Sequence, residues 1–184
     1  HVCQEQIAIV HNGIIENYQS LRSQLIDDGY TFISETDSEV IVNKIHYFLS
    51  EGLKPLDAVI KTTQLLEGAY AIGIIFKNNP NRIIAARQGS PLVIGIGVEE
   101  YFIASDIFAL LPLTKKYIIL EDGDIADVNL DNGLRIISKK NTEITRPVVE
   151  SNIQHEESSK TGFRHYMLKE IFEQPEVIRA ALEG

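Results

Sequence analysis

The sequence predicts an α+β chain in which helices cover at least one side of an antiparallel sheet. Three observations predict this class. Apolar residues recur every three or four positions in the first third, short apolar runs broken by turn residues fill the middle, and helical spacing returns near the C-terminus. The 184 residues suit a single domain with a tail.

The first third begins with a strand and continues mainly as helix. The apolar run Ile7–Val10 predicts a buried strand, and His11-Asn12-Gly13 after it predicts a turn. An amphipathic helix is predicted from Ile14 to a C-cap at Gly29. A short strand is then expected at Thr31–Ile33.

Two more helices are predicted next. Thr36 and Glu39 have the spacing of a capping box, and Gly52 stops the helix that they open. Pro55 favours the first turn of a third helix. Its inward-facing residues are expected to be Leu56, Val59, Ile60 and Leu66.

The rest of the chain is predicted as strands, a connection and a terminal helix. Strands are predicted at residues 69–76, 82–87, 92–96, 101–104, 117–120, 124–129 and 134–138, with a short helical piece at 106–111. Asn132-Gly133 is a hairpin signal. Residues 142–161 are expected to be irregular, and 166–182 helical with a break or a new start at Pro175.

Composition excludes several classes of function. A net charge of −9 without a basic patch argues against nucleic acid as a partner, and no apolar run reaches membrane-spanning length. Cys3 is the only cysteine, which excludes an internal disulfide and is typical of a reducing compartment such as the cytoplasm. No metal-ligand spacing or nucleotide-binding motif occurs, so no cofactor is expected.

Two places could carry chemistry. The side-chain amide of Asn12 and the backbone N–H of Gly13 could form an oxyanion hole, although Asn-Gly is also an ordinary turn. Asp37 could bind a substrate ammonium, or could only complement the helix N-terminus. A nucleophilic role for Cys3 has no arranged base to support it. The residues alone leave these alternatives open.

Five separated strings resemble one family, in the family's order and across nearly all 184 residues. They match the class II glutamine amidotransferase domain, an Ntn-hydrolase αββα sandwich of two antiparallel sheets between helices. The last string is similar to the end of the glutaminase domain in glutamine–fructose-6-phosphate aminotransferases. The strings are residues 10–17, 30–41, 89–95, 102–106 and 164–175.

The resemblance implies a mechanism and site residues. In this family an N-terminal cysteine, with its own α-amino group as base, attacks the amide of glutamine, and ammonia passes to a sugar isomerase domain that makes glucosamine 6-phosphate. Asn12 and Gly13 would form the oxyanion hole. Asp37 would hold the α-amino group of glutamine.

The departures from the family pattern predict a fragment. The nucleophile, the arginine-tryptophan segment and most of a histidine-containing loop are expected before His1, and Cys3 does not match the nucleophile. Residues 1–160 would be the N-terminally truncated glutaminase domain, and 161–184 the helical segment that leads to the isomerase domain. The fragment is expected to be inactive alone, and the full-length protein to form a homo-oligomer. Another class II amidotransferase and a non-catalytic binding domain of the same fold remain the alternatives.

Overall fold

The computed structural model describes residues 1–151 and 162–183 and contains two antiparallel sheets with helices, as the predicted α+β class requires. The helices are α1 (Tyr18–Asp27), α2 (Asp37–Ser50), α3 (Pro55–Thr63) and α4 (Tyr166–Glu183), with a 3₁₀ turn at Ile107–Ala109. The strands are β1 (Val2–Cys3), β2 (Ile7–Ile15), β3 (Gly68–Phe76), β4 (Asn79–Gln88), β5 (Val93–Ile96), β6 (Tyr101–Ala104), β7 (Lys116–Ile119), β8 (Ile125–Asn129), β9 (Gly133–Ile137), β10 (Glu143–Ile144) and β11 (Val148–Glu150).

The two sheets stack as layers. The larger has the order β1-β2-β3-β4-β8-β9-β10, and the smaller has the order β11-β7-β5-β6. Helices α1 to α3 pack on the outer face of the larger sheet, where Leu25, Ile41 and Val59 join a buried cluster with strand residues. A second cluster, which includes Ala85 of β4 and Ile94 of β5, fills the space between the sheets. The expected sandwich of two antiparallel sheets is therefore confirmed.

Glycine ends the first two helices, as predicted. Gly29 has φ +89°, and it follows α1 in a Schellman arrangement, with Tyr30 N–H donating to Leu25 O at 2.8 Å and Gly29 N–H to Ile26 O at 3.0 Å. Gly52 has the same φ after α2. Both helices therefore stop where glycine can adopt the left-handed conformation at little steric cost.

The predicted turn at residues 11–13 is wrong. Strand β2 continues through them to Ile15 and pairs with β3 along all nine residues, from Ile7↔Phe76 to Ile15↔Gly68. Helix α1 consequently begins at Tyr18 and not at Ile14. Long-range pairing decided this, because an Asn-Gly pair favours a turn only when no neighbouring strand competes for its backbone.

Three further expectations differ from the structure. Residues 31–33 form no strand, and the Arg22 guanidinium lies over the Phe32 ring there at 4.3 Å. Strands β10 and β11 occupy part of the stretch 142–161 that was expected to be irregular, and residues 152–161 of that stretch, with the expected 160/161 boundary, lie outside the described residues. Pro175 lies inside the continuous helix α4, and it neither breaks that helix nor starts a new one.

Large apolar side chains along α4 are mostly exposed, among them Met167 at 74% and Phe172 at 65%. Within the described residues, no helix combines the length and the apolar character that crossing a membrane requires.

Candidate active site

One edge of β2 carries the predicted site. The Ile9 N–H donates to His1 O at 2.9 Å, and the Ile15 N–H donates to Asp37 Oδ2 at 2.8 Å, so the N–H groups of odd-numbered residues point away from β3. The Gly13 N–H has the same direction. Because β1 pairs with β2 only as far as Ala8, no described strand covers this edge at residue 13.

Only glycine fits at position 13. Gly13 has φ +133°, and a Cβ built on it would overlap the carbonyl oxygen of Ala69 on β3 and lie 2.8 Å from Tyr70 Cα. A side chain here would therefore strain the backbone and push β3 away. The glycine lets β2 approach β3 closely while its N–H stays on the open edge.

Asn12 lies on the opposite face of the sheet from α2. Side chains alternate along β2, with Ile9 and Ile15 buried toward the helices. Asn12 and its even-numbered neighbours Val10 and Ile14 are exposed, with Val10 at 74% and Ile14 at 68%. The Asn12 amide thus stands beside an apolar surface that the smaller sheet does not cover.

Asp37 is held at the same strand edge. It is the first residue of α2, and its side chain is 21% exposed. While Oδ2 accepts the Ile15 N–H, Oδ1 lies 3.4 Å from Ser38 Oγ. Two residues along a strand span about 7 Å, which separates the Ile15 N–H from that of Gly13. The edge thus offers a donor for a carbonyl oxygen and an acceptor for an ammonium, at a spacing comparable with an extended glutamine.

The predicted capping box is wrong, and Glu39 has another role. Thr36 makes no side-chain cap bond, whereas the buried Glu39 carboxylate accepts the N–H groups of Ile33 at 2.8 Å and Ser34 at 2.7 Å and the Ser34 hydroxyl at 2.5 Å. Burial would raise the pKa of Glu39, but these hydrogen bonds lower it below its usual 4.5. Glu39 therefore fixes the loop that leads to Asp37.

His11 was given no role by the sequence, yet its side chain reaches the site from the helix face. Its Nδ1 lies 2.8 Å from Ser38 Oγ and 3.9 Å from Asp37 Oδ1, and its side chain is 2% exposed. Burial lowers the pKa of His11, although Asp37 opposes this. The alternation of a continuous strand would have placed His11 opposite Asn12, but the predicted turn hid that signal.

Cys3 is a core residue. It belongs to the buried cluster under the helices and is 5% exposed. Burial, and secondarily the charge of Glu39, raises the pKa of its thiol to about 11. A thiol that stays protonated is a poor nucleophile.

Curated relatives match nearly the whole chain. Glutamine–fructose-6-phosphate aminotransferase (isomerizing) of Photorhabdus laumondii is 50% identical over 179 residues, or 97% of this chain. The protein of the same name from Escherichia coli K12 is 47% identical over 180 residues, or 98% of this chain. The chain spans 29% of the length of each of these relatives.

Solved structures give the same fold. Glutamine phosphoribosylpyrophosphate amidotransferase from B. subtilis, complexed with ADP and GMP, superimposes with a TM-score of 0.63 and 28% identity over 75% of this chain and 30% of its own. An allosteric regulatory enzyme of purine biosynthesis gives a TM-score of 0.62 and 28% identity over 72% of this chain and 28% of its own. The expected Ntn-hydrolase fold is confirmed by this likeness.

A family model described as "Glutamine amidotransferase domain" matches residues 2–112. That match covers more than half of the chain and contains all three predicted site residues. The chain belongs to the family of glutamine amidotransferase domains.

Proposed function

We propose that this chain is the glutaminase part of an enzyme that releases ammonia from glutamine and uses it to convert fructose 6-phosphate to glucosamine 6-phosphate. One observation carries the glutaminase assignment. The Asp37 carboxylate accepts the Ile15 N–H, which lies on the same open edge of β2 as the Gly13 N–H two residues away. A carboxylate there suits the α-ammonium of glutamine, and the Gly13 N–H with the Asn12 amide suits the oxyanion.

The sugar substrate is proposed from the relatives. Proteins named glutamine–fructose-6-phosphate aminotransferase match 97–98% of the chain at 47–50% identity, whereas the phosphoribosylpyrophosphate amidotransferase structure is 28% identical. This difference favours the amino-sugar enzyme over another class II amidotransferase.

The nucleophile is proposed to come from protein outside residues 1–184. Cys3 is the only cysteine, and it lies buried on the helix side of the sheet, whereas Asn12 faces the other side. The face beside Asn12 exposes Val10, Ile14 and also Ile75 of β3 at 52%. An apolar surface of this kind around a polar group is typical of a site that further chain covers.

The first experiment tests the chain as given. Residues 1–184 are expected to release no glutamate from glutamine above the rate in buffer, because no activated thiol is present. Glutamate release by this polypeptide, abolished by Cys3→Ala, would contradict the proposed origin of the nucleophile. Release that survives Cys3→Ala would contradict cysteine chemistry altogether.

The second experiment tests Asp37 in the full-length protein. Asp37→Asn removes the charge that pairs with the ammonium, and is expected to raise the KM for glutamine by about ten- to a hundredfold, as for loss of a charged hydrogen bond. Asp131→Asn, an exposed residue in the turn between β8 and β9, is the matched control. Equal KM values in the two variants would argue against ammonium binding by Asp37.

The partners follow from the proposed reaction. Glutamine is the substrate, a sugar isomerase domain in the full-length chain receives the ammonia, and a homo-oligomer in the cytoplasm is the expected form. When fructose 6-phosphate is added to the full-length protein with glutamine, glucosamine 6-phosphate is expected to form together with glutamate, in place of free ammonia. The molar mass of the full-length protein, measured by light scattering, would test the expected homo-oligomer.

A further inference from the structure

A chain of hydrogen bonds connects the core to the Asp37 carboxylate. His11 Nδ1 lies 2.8 Å from Ser38 Oγ, and Ser38 Oγ lies 3.4 Å from Asp37 Oδ1. His11 belongs to β2, and the two other residues open α2. The contact therefore joins the strand that carries Asn12 and Gly13 to the helix that carries Asp37.

The number of protons available shows which group donates in each of these two hydrogen bonds. The Ser38 hydroxyl has one proton, and a carboxylate only accepts, so the bond to Asp37 uses that proton. Ser38 Oγ must then accept from His11, which places the histidine proton on Nδ1. The buried Nε2 of His11 has no partner among the described residues, and unpaired buried N–H groups are rarer in proteins than acceptors that lack a partner. Both observations favour the same neutral tautomer.

The two oxygens of Asp37 are thus held from two sides. Oδ2 accepts the backbone N–H of Ile15, while Oδ1 is reached by the hydroxyl that His11 orients. We propose that His11 and Ser38 are positioning residues that aim the Asp37 carboxylate at the α-ammonium of the substrate, and that they thereby set the preference for an amide that carries an α-amino group. This inference rests on the proposed glutaminase function and deepens it.

The decisive measurement is a ratio of two substrates in the full-length protein. One substrate is glutamine, and the other is glutaramate, which is glutamine without its α-amino group. The ratio of kcat/KM for glutamine to kcat/KM for glutaramate isolates the ammonium contact. Both values come from one preparation, so a loss of folded protein cancels. A merely structural role would therefore leave the ratio unchanged.

Substitutions at His11 separate the hydrogen bond from the volume of the ring. His11→Asn places an amide nitrogen on the same Cγ that bears Nδ1, so it can still donate to Ser38. His11→Gln carries its amide one carbon farther out, near the position of Nε2. Both variants lose the buried ring and are expected to be less stable. Only His11→Gln is expected to lower the substrate ratio, by about two- to fivefold, because the hydroxyl that His11 orients contacts Asp37 through a long hydrogen bond of 3.4 Å.

Two substitutions at Ser38 give an independent test. Ser38→Ala removes the hydroxyl and is expected to lower the ratio by the same factor, whereas Ser38→Thr retains the hydroxyl and is expected to preserve it. The matched controls are His46→Gln, which removes a buried histidine of α2 that bonds Tyr30 at 2.7 Å, and Ser23→Ala on the exposed surface of α1. His46 is eight residues from Ser38, or about 12 Å along the helix.

The outcomes are distinct. A lowered ratio in His11→Gln and Ser38→Ala, with parental ratios in His11→Asn, Ser38→Thr and the two controls, supports the positioning role of His11 and Ser38. Parental ratios in His11→Gln and Ser38→Ala, in an enzyme that hydrolyses glutamine, overturn that positioning role and leave the proposed function standing. A full-length protein that hydrolyses neither substrate overturns both.

Discussion

Replacement of Glu39 by glutamine is expected to destabilise the chain, because three donors depend on its carboxylate. The side chain is buried, and it accepts the N–H groups of Ile33 and Ser34 and the Ser34 hydroxyl at 2.5–2.8 Å. A carboxamide has one acceptor oxygen. If that oxygen stays with Ser34, the amide nitrogen faces the Ile33 N–H, and two donors then oppose each other inside the protein.

The size of the loss follows from these bonds. A hydrogen bond to a charged group contributes about 1.5–3 kcal/mol, and an unpaired buried donor costs about 1–3 kcal/mol. Removing the buried charge relieves part of its desolvation cost, which acts in the opposite direction. A net loss of about 2–3 kcal/mol in the free energy of unfolding is expected. With an m-value of about 2 kcal/mol/M, the urea midpoint would fall by about 1–1.5 M.

Urea unfolding at neutral pH measures this loss, with the exposed Glu35→Gln as the control. Glu39 has a pKa below its usual 4.5, so its stabilisation is fully present above pH 4.5 and is lost as the pH falls through the lowered value. The difference between the parent and Glu39→Gln should therefore shrink in acid. A midpoint for Glu39→Gln within 0.3 M of the control, on the order of 0.6 kcal/mol at this m-value, would refute the reasoning.

Three other predictions concern the same core. Gly13→Ala should lower the free energy of unfolding by about 2–4 kcal/mol, because the added methyl group would overlap the backbone of Ala69. Gly29→Ala should lower it by only about 1 kcal/mol, because a methyl group there has no neighbour within 4 Å, and the urea midpoints of the two variants compare these losses. The pKa of the Cys3 thiol is about 11 in the folded chain instead of 9.0, so the reactive thiolate should be about a hundredfold scarcer there at neutral pH. Alkylation of Cys3 by iodoacetamide, followed by mass spectrometry, should therefore be about a hundredfold slower in the native chain than in the urea-unfolded chain. Burial lowers the pKa values of His11 and His46, so the stability that these neutral side chains contribute should be fully present above about pH 6.5 and be lost as the pH falls through the lowered values. The urea midpoint of His46→Gln should therefore depend less on pH than that of the parent.

The elements that the sequence predicted well are those whose signals are local. Pro55 begins α3 and glycines follow α1 and α2, because the φ angles of these residues act within one turn of helix. The strand at residues 101–104 and the hairpin before Gly133 also follow from local composition. Patterns of this kind do not depend on what the rest of the chain does.

The largest error lies where distant residues decide. His11 to Gly13 form strand because β3, more than 50 positions away, supplies partners along the whole length of β2. The error at Glu39 is a local one, because the loop only five to six residues before it offers three donors to its carboxylate, and the capping box with Thr36 does not form. The local pattern made Asn12, Gly13 and Asp37 candidates, and the family resemblance favoured the functional alternative at each of them. The strand edge that Gly13 and Asp37 share was visible only once β2 was paired with β3.

The backbone N–H groups and the side chains of β2 point in three different directions around the candidate site. Its odd-numbered N–H groups face the edge where Asp37 lies, its odd-numbered side chains enter the helix-covered core, and its even-numbered side chains, Asn12 among them, face the apolar surface on the other side. The proposed ammonium-binding group, Asp37, is consequently placed by the folding of the larger sheet with α2. The proposed oxyanion group on the other side, the Asn12 amide, lies on the exposed face of that sheet. Because these two halves rest on different layers, binding of the amino-acid end of a substrate and stabilisation of its transition state should be separable by mutation.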